Sequence, residues 1–180
     1  MGFGTVFASF AFVAIVALSS YLLITGTIFS MDTLMNSFKE LSEVHNNQMR
    51  TEIEIENISV TNTDSDNRSL SLIDVKVNNT GATKVLRTDF EHIDVFVFYA
   101  PSLGNATIHR RLAYNDSIDP ADNEWTVVDI TPDLVNPRTF DPDEQMTIRA
   151  RIYPAIKGNS TSWLKVVMPN AVSDARYFTD

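Results

Sequence analysis

The first 31 residues form one unbroken run of apolar and uncharged polar side chains, which predicts a long helix. No Asp, Glu, Lys, Arg or His occurs before Asp32. A helix rises about 1.5 Å per residue, so roughly 20 residues cross a hydrocarbon core of about 30 Å. The segment from Val6 to Phe29 is therefore long enough to span a membrane.

Two other origins of such a run are a buried core helix and a cleavable secretory signal. Core helices of soluble proteins seldom extend this far without a charge. A secretory signal has a basic segment ahead of an apolar core of about 7–15 residues. Here the apolar run is longer, and only the terminal amine precedes it. We therefore expect an uncleaved anchor, with almost no residues protruding at its N-terminal end.

The apolar pattern continues past the uncharged run at helical spacing. Apolar side chains recur three or four residues apart, with charged residues between them, at Met31, Leu34, Met35, Phe38, Leu41 and Val44. No Pro or Gly interrupts the chain from Thr27 to Arg50. The pattern predicts one helix from about Phe3 to about Asn46, about 65 Å long. Its first part would lie in lipid and its last part would form a stalk that stops at Asn46-Asn47.

Small residues punctuate the apolar helix, at Gly4, Ala8, Ala11, Ala14, Ala17, Ser19, Ser20 and Gly26. Small side chains allow membrane helices to approach each other closely. We expect the helix to self-associate or to pack into an assembly. The alternative is a lipid-facing helix without a partner.

After Arg50 the hydrophobic period changes from helical to twofold, which predicts strands. Strand-like segments begin near Ile53, Leu70, Ile93, Ile108, Trp125, Met146, Trp163 and Arg176. The LxLxxVxV spacing of the second segment predicts a kink or bulge near Ile73. In the third segment Phe96 and Phe98 occupy the second face, so we expect that strand to be buried on both sides.

Turn residues separate these segments, among them Asn79-Thr80-Gly81 and Lys157-Gly158-Asn159. Seven or eight short strands with intervening turns are typical of an antiparallel β-sandwich of immunoglobulin-like type. The chain is therefore mainly β, with an N-terminal α-helix. We divide it into a transmembrane helix and amphipathic stalk over residues 1–47 and a sandwich domain over residues 48–180.

Composition excludes several classes of function. The 14 Lys and Arg against 23 Asp and Glu give a formal net charge of −9, which argues against a partner that is a nucleic acid, since phosphate neutralisation dominates such binding. The absence of cysteine excludes disulfides, thiolate metal sites, iron–sulfur clusters and a cysteine nucleophile.

N-glycosylation sequons indicate on which side of the membrane the strand-rich part lies. Six N-x-S/T motifs follow the apolar helix, at Asn57, Asn67, Asn78, Asn105, Asn115 and Asn159. Most fall near predicted turns, where a bulky glycan is accommodated. We therefore expect a single-pass protein of the cell membrane with its C-terminal domain outside the cytoplasm.

Residues that could carry chemistry do not form a recognised site. Acidic side chains cluster at Asp64 and Asp66, at Asp116, Asp119, Asp122 and Glu124, and at Asp141, Asp143 and Glu144. Calcium prefers oxygen ligands, but none of the clusters has the spacing of a calcium loop with its central glycine. His45, His92 and His109 are far apart, and no nucleophile elbow or phosphate loop is present. We expect no catalytic residue, no cofactor and no metal site.

The N-terminal pattern resembles that of the archaellum accessory proteins FlaF and FlaG, also called ArlF and ArlG. The residues that carry the likeness are Met-Gly-Phe at the start of an almost uncharged helix, a short stalk, and the strand TEIEIENISV. The stretch LIDVKVNNTGATKVLRTDFEHIDVFVFY is similar to a strand, an Asn-Thr-Gly turn, a hydrophobic bridge and a second strand of those domains. The later NEWTVVDITPDLVNPRTFDPDEQMTIRARIYP and WLKVVMPNAVSDARYF extend the likeness over essentially the whole chain.

This resemblance implies a stator that anchors an archaellum-type machine between the membrane and the surface layer. The implied partners are membrane lipid, surface-layer or archaellum proteins, and related helix–sandwich chains in homo- or hetero-oligomers. No interface motif of the family is short enough to be assigned to residues here.

Two other hypotheses remain open. Archaellins and type IV pilins also join an apolar helix to a β-domain, and would place the helix in a filament core. They are made with a leader that ends in a basic residue and glycine, and often carry an acid early in the mature helix. Here Thr5 stands near the start and no acid precedes Asp32, which favours an unprocessed anchor. The other hypothesis is a cell-surface sandwich that binds sugar or calcium through an acidic loop.

Overall fold

The computed structural model describes residues 2–65, 68–104 and 106–179. The chain separates into two compact units, Met1–His45 and Asn46–Asp180. The first unit is helical. The second consists of the last helical turn and all eight strands.

The N-terminal helix, α1, spans Phe3–Arg50 and is 48 residues long. The prediction of a single uninterrupted helix is confirmed, but its end lies at Arg50 rather than at Asn46. Two carbonyls of the last turn find donors in the strand-rich unit, since Thr51 Oγ1 donates to Asn47 O at 2.7 Å and Ala82 N donates to Arg50 O at 2.7 Å. These bonds satisfy carbonyls that a free helix end leaves unpaired, so the asparagine pair does not stop the helix.

Every predicted strand segment is a strand in the structure. The eight are β1 Ile53–Ser65, β2 Arg68–Asn79, β3 Asp94–Tyr99, β4 Ile108–Tyr114, β5 Glu124–Thr131, β6 Gln145–Ile152, β7 Thr161–Val167 and β8 Ser173–Thr179. A 3₁₀ helix over Arg87–His92, absent from the sequence prediction, joins the β2 turn to β3.

The strands follow the order β1-β2-β6-β5-β4-β3-β7-β8. All pairs are antiparallel except β4 with β5, which are parallel and share only two residue pairs, Ala113–Glu124 and Tyr114–Trp125. This narrow junction divides the sheet into a β1-β2-β6-β5 layer and a β4-β3-β7-β8 layer, as expected for a sandwich. At the opposite side, β8 contacts β1 through Asp174, which accepts a bond from Ile55 N at 2.7 Å, and Arg176, which donates to Ile55 O at 2.6 Å.

The core lies between the two layers. It contains fully buried aliphatic and aromatic side chains from both, including Ile73, Val75, Val95, Tyr99, Trp125, Phe140, Met146, Ile148 and Leu164. A core of this size stabilises the domain without disulfides, and the chain has no cysteine.

The prediction of a kink or bulge near Ile73 is wrong. Pairing of β1 with β2 is continuous through Ile73, and the register shift lies in β1 between Ile55 and Asn57. The LxLxxVxV spacing arises because Ser71 takes a buried position on the inward face, while Leu72 is half-buried on the other face. Ser71 Oγ compensates for its burial by accepting a bond from Ile156 N at 2.8 Å.

The expectation that β3 is buried on both faces is also wrong. Val95, Val97 and Tyr99 are fully buried, but Phe98 is 40% exposed on the opposite face. That face is the outer surface of the β4-β3-β7-β8 layer, so its aromatic side chains meet solvent.

Truncation of two adjacent side chains tests this register. Ile73→Ala should destabilise the domain by about 2–5 kcal/mol, because it leaves a cavity in the core. Leu72→Ala, the matched control on the half-buried face, should cost clearly less. The measurement is urea unfolding of the full chain in detergent, and equal losses from the two variants would contradict the assigned register.

Candidate functional site

The surface of α1 is suited to lipid along its uncharged part. It is the one helix within the described residues that is long and apolar enough to cross a membrane, and its large side chains are exposed on every side, Phe10 by 79% and Leu23 by 72%. Its hydroxyls bond to carbonyls one turn back, Ser20 to Val16 O at 2.8 Å and Thr27 to Leu23 O at 2.7 Å. Because these hydroxyls are paired within the helix, few of its polar groups would be left without a hydrogen-bond partner in lipid.

The last turn of α1, which belongs to the second unit, is bonded to the strand-rich part by a set of contacts that we call the clasp. Its members are Gln48, Thr51, Gly81, Ala82 and Asn170. Gln48 Nε2 donates to Asn170 O at 3.0 Å, and Asn170 Nδ2 donates to Thr51 Oγ1 at 2.6 Å. Thr51 is only 8% exposed, so these bonds are shielded from competing water. The clasp therefore fixes the polypeptide where it leaves the helix and enters β1.

Gly81 makes the closest contact in the clasp with the backbone of residues 50–52. A Cβ at this position would lie 2.4 Å from Glu52 N and 2.7 Å from Arg50 O, which no side chain can occupy without movement of the backbone. The Asn-Thr-Gly turn noted in the sequence is thus a packing requirement. Its first residue, Asn79, is 2% exposed, donates to Thr83 O at 2.8 Å and accepts from Gly81 N at 3.2 Å.

Four of the six predicted glycosylation sites fall on described side chains, and these four differ in access. The side chains of Asn57 and Asn159 are exposed, and neither side chain hydrogen-bonds to a described group. Asn78 is half-buried in β2, between two paired strands, with its oxygen bonded to Gln145 Nε2 at 2.9 Å. Asn115 uses its amide nitrogen to donate to Glu124 Oε2 at 2.6 Å. Asn67 and Asn105 lie outside the described residues.

The acidic clusters at residues 116–124 and 141–144 serve turns and ion pairs. Glu144 Oε2 accepts a bond from Asp141 N at 2.9 Å, and both side chains are buried. Asp122 lies 3.1 Å from Arg151 Nε. Within the described ranges no three His, Asp or Glu residues come together as a metal site would require. Asp66 and the side chain of Asp64 lie outside what the structure describes.

An ion pair at the rim of a cleft shifts the pKa of its carboxyl group. The Arg87 guanidinium bonds to Asp116 at 2.8 and 3.0 Å and, with the Tyr114 hydroxyl, lowers the pKa of the Asp116 carboxyl. Burial, together with the bond to Asp116, raises the pKa of Tyr114. The adjoining cleft of about 410 Å³ is lined by Phe90 and Ile130 among others. Its lining carries two arginines and three aspartates, and no nucleophile–base pair is formed among them.

A row of aromatic side chains crosses the outer face of the β4-β3-β7-β8 layer. Cross-strand pairing places His109 beside Phe98, Phe98 beside Trp163, and Trp163 beside Tyr177. We call these four residues the aromatic row. The His109 ring lies 6.3 Å from the Phe98 ring and 6.4 Å from the Trp163 ring, measured between centroids. The sequence analysis did not assign this surface a role, since alternation within one strand does not reveal which strands are neighbours.

Substitution of Gly81 tests the clasp. Gly81→Ala should destabilise the domain by about 1–3 kcal/mol, because the added methyl group overlaps two backbone atoms. Thermal unfolding of the full chain in detergent is the measurement.

Gly26→Ala is the matched control for that substitution, since no atom lies within 4 Å of a Cβ at position 26. It should leave the unfolding of the domain unchanged. An unfolding temperature for Gly81→Ala equal to that of the parent chain would refute the close approach.

The differences in access predict which sequons carry glycans. In protein purified from a glycosylating archaeal host, Asn57 and Asn159 should be modified, while Asn78 and Asn115 should not, because their side chains are held within the fold. Mass spectrometry of glycopeptides measures the occupancy of each site. Modified Asn115 together with unmodified Asn57 would count against this assignment.

No protein-family model matches the chain. One relative, from Archaeoglobus fulgidus and described as an uncharacterized protein, is 30% identical over 179 residues. The aligned region covers 99% of this chain and 97% of the relative.

Solved structures of archaellum proteins are similar to this one in fold. The archaeal flagellum of Methanospirillum hungatei strain JF1 matches with a TM-score of 0.53 and 14% identity, over 99% of this chain and 93% of that one. That match shows a common fold, which includes the N-terminal helix.

Two further matches come from Sulfolobus acidocaldarius, and their TM-scores below 0.5 support no conclusion by themselves. The archaellum periplasmic stator protein complex of FlaF and FlaG matches at 0.48 with 16% identity, over 71% of this chain and 89% of that one. The periplasmic stator protein FlaG matches at 0.46 with 19% identity, over 71% and 99%.

The full-length alignment at 30% identity, rather than these weaker structural matches, decides the relationship. The chain belongs to one family with the Archaeoglobus fulgidus protein.

Proposed function

We propose that the protein is a non-catalytic structural component of an archaellum-type surface machine, which it anchors between the membrane and the surface layer as a stator. One observation carries the proposal: an uncharged helix of membrane-spanning length continues into a β-domain, in a chain that shares its fold with an archaeal flagellum over 99% of its length. Among the described residues, no catalytic constellation favours an enzyme.

The helix supplies the attachment. Fourteen large apolar side chains between Val6 and Phe29 are exposed within the chain. Even at about 1.5 kcal/mol for each side chain removed from water, they give about 20 kcal/mol of preference for lipid. That free energy is of the order of the tightest non-covalent affinities known, so the anchor would remain in the membrane under load.

The proposed topology is a single pass with the C-terminal domain outside the cytoplasm. The exposed sequons at Asn57 and Asn159 support this side, because N-glycans are added to extracytoplasmic segments. The proposed partners are membrane lipid, surface-layer or archaellum proteins, and related helix–sandwich chains in homo- or hetero-oligomers. The proposed division of the chain is a helix and stalk over residues 1–47 and a sandwich over residues 48–180.

A filament subunit is the second candidate function. The likeness to the Methanospirillum hungatei flagellum favours it, because that match includes the helix as well as the β-domain. In a filament the apolar side chains of α1 would be buried against identical helices, whereas in a stator they would face lipid.

Several charges at the middle of the helix test the anchor. Arginine at Ile15, Leu18 and Leu22 together should shift the protein out of the membrane fraction, since each arginine costs about 2.5–3.5 kcal/mol at a helix centre on insertion scales and each also removes one apolar side chain. Alanine at the same three positions, which keeps the helix uncharged, should leave the protein in the membrane fraction. Cell fractionation followed by immunoblotting is the measurement, and a triple-arginine chain that stays membrane-bound would contradict the proposed attachment.

Shearing of surface filaments from the same cells distinguishes the two candidates. A stator stays with the cell membrane, and intact-mass analysis then finds the N-terminal helix present. A filament subunit is instead the main protein of the sheared fraction, and that result would replace the stator proposal with the second candidate.

A further inference from the structure

The aromatic row is a continuous feature of the outer face of the β4-β3-β7-β8 layer. Tyr177 is 72% exposed and Phe98 is 40% exposed, and the row continues across four neighbouring strands. Contiguous exposed apolar patches on soluble domains mark surfaces that are covered in the working molecule. Lys165 and Arg111 flank the row, paired on either side of Phe96, so hydrogen-bond donors lie beside the rings.

A glycosylation sequon begins directly beside this row. Asn159-Ser160-Thr161 ends at the first residue of β7. Thr161, Trp163 and Lys165 alternate with three buried residues, so they share the outer face of the strand. At about 3.3 Å per residue, Trp163 lies only about 13 Å along the chain from Asn159.

The conformation of Asn159 suits it as an acceptor. Its side chain is exposed, and its φ of 56° lies in the left-handed region that asparagine tolerates better than most residues. No described group hydrogen-bonds to its amide, which is therefore free for modification.

We propose that Asn159 carries an N-linked oligosaccharide and that this glycan folds back over Trp163 and Tyr177, covering the aromatic row. The donor is a lipid-phosphate-linked oligosaccharide acted on by a membrane oligosaccharyltransferase. Asn159 Nδ2 forms a bond to the anomeric carbon and loses one proton, while the bond from that carbon to the phosphate oxygen breaks and the lipid phosphate leaves with the electron pair.

The chemistry of the two surfaces is complementary. A sugar ring presents C–H groups on its faces, and these stack on the electron-rich faces of aromatic rings. Its hydroxyls remain at the rim, where Lys165 can donate hydrogen bonds, whereas Arg111 Nε already donates to Asp94 Oδ1 at 2.6 Å. A glycan on Asn159 is the expected occupant of this surface, because the attachment point lies just before the strand that carries Trp163.

The inference rests on the extracytoplasmic placement proposed above, so the test includes a second sequon. Asn57 lies on β1, in the other layer, where its cross-strand partner is Lys76. A glycan at Asn57 reports the location of the domain without touching the aromatic row.

The experiment compares two variants of one residue in the full chain, purified from a glycosylating archaeal host. Thr161→Ser keeps the sequon and Thr161→Ala removes it, while both retain Asn159 and its turn. Readouts are glycopeptide mass, acrylamide quenching of tryptophan fluorescence, and thermal unfolding. Trp125 is fully buried, so changes in quenching report Trp163.

Thr161→Ala should lose the glycan at position 159, increase the quenching of Trp163, and lower the Tm by about 2–4 °C relative to Thr161→Ser. Adding Trp163→Ala to both chains should abolish most of that Tm difference, because the glycan then has no ring to pack on. Asn57→Gln should change neither the quenching of Trp163 nor its response to Thr161→Ala.

Three results would overturn the inference. If Asn57 is modified and Asn159 is not, the extracytoplasmic placement of the domain stands and only the glycan at Asn159 is refuted. If neither asparagine is modified, both the inference and the extracytoplasmic placement on which it rests are refuted. Asn159 modified, with Trp163 equally quenched in Thr161→Ser and Thr161→Ala, shows that the glycan does not cover the row and that the face is open to a protein partner.

Discussion

The contact between the Gly81 turn and the backbone of residues 50–52 is the constraint on which the start of the β-domain depends. Arg50 O and Glu52 O both accept hydrogen bonds from this turn, from Ala82 N at 2.7 Å and from Gly81 N at 3.0 Å. Because the approach excludes a Cβ, the turn, the last helical carbonyl and the first residues of β1 form one close-packed unit. This unit fixes the backbone where the helix ends and β1 begins.

Much of the fold followed from hydrophobic periodicity. The uncharged run before Asp32 and the change to alternation after Arg50 predicted the long helix and all eight strands. These features depend on local sequence, since side-chain period reflects only which face of an element is buried. The errors arose at positions where the hydrophobic pattern was compatible with two different arrangements. The spacing of Leu72 and Val75 indicated a bulge near Ile73, but Ser71 occupies the inward position and the pairing is continuous. Phe98, on the second apolar face of β3, meets solvent rather than a second core.

The candidate site was less predictable, because its contacts join residues far apart in sequence. Gln48 and Thr51 meet Asn170 across more than 110 positions, and Phe98 meets Trp163 through strand order alone. The Asn-Thr-Gly motif and the sequon at Asn159 were visible as motifs. What they pack against was not, because the sequence carries no direct signal for the order β4-β3-β7-β8.

Ser71 also bears on how the sheet avoids alternative pairings. A slip of β2 by one residue would turn every core side chain of that strand to the opposite face, and it would also withdraw the serine oxygen from Ile156 N. That amide is buried, so losing its acceptor adds about 1–3 kcal/mol to the cost of the slipped arrangement. A residue that contributes little apolar area thus helps to make one register unique. Misfolding by strand slippage is opposed by a polar atom at the point where the hydrophobic pattern alone is ambiguous.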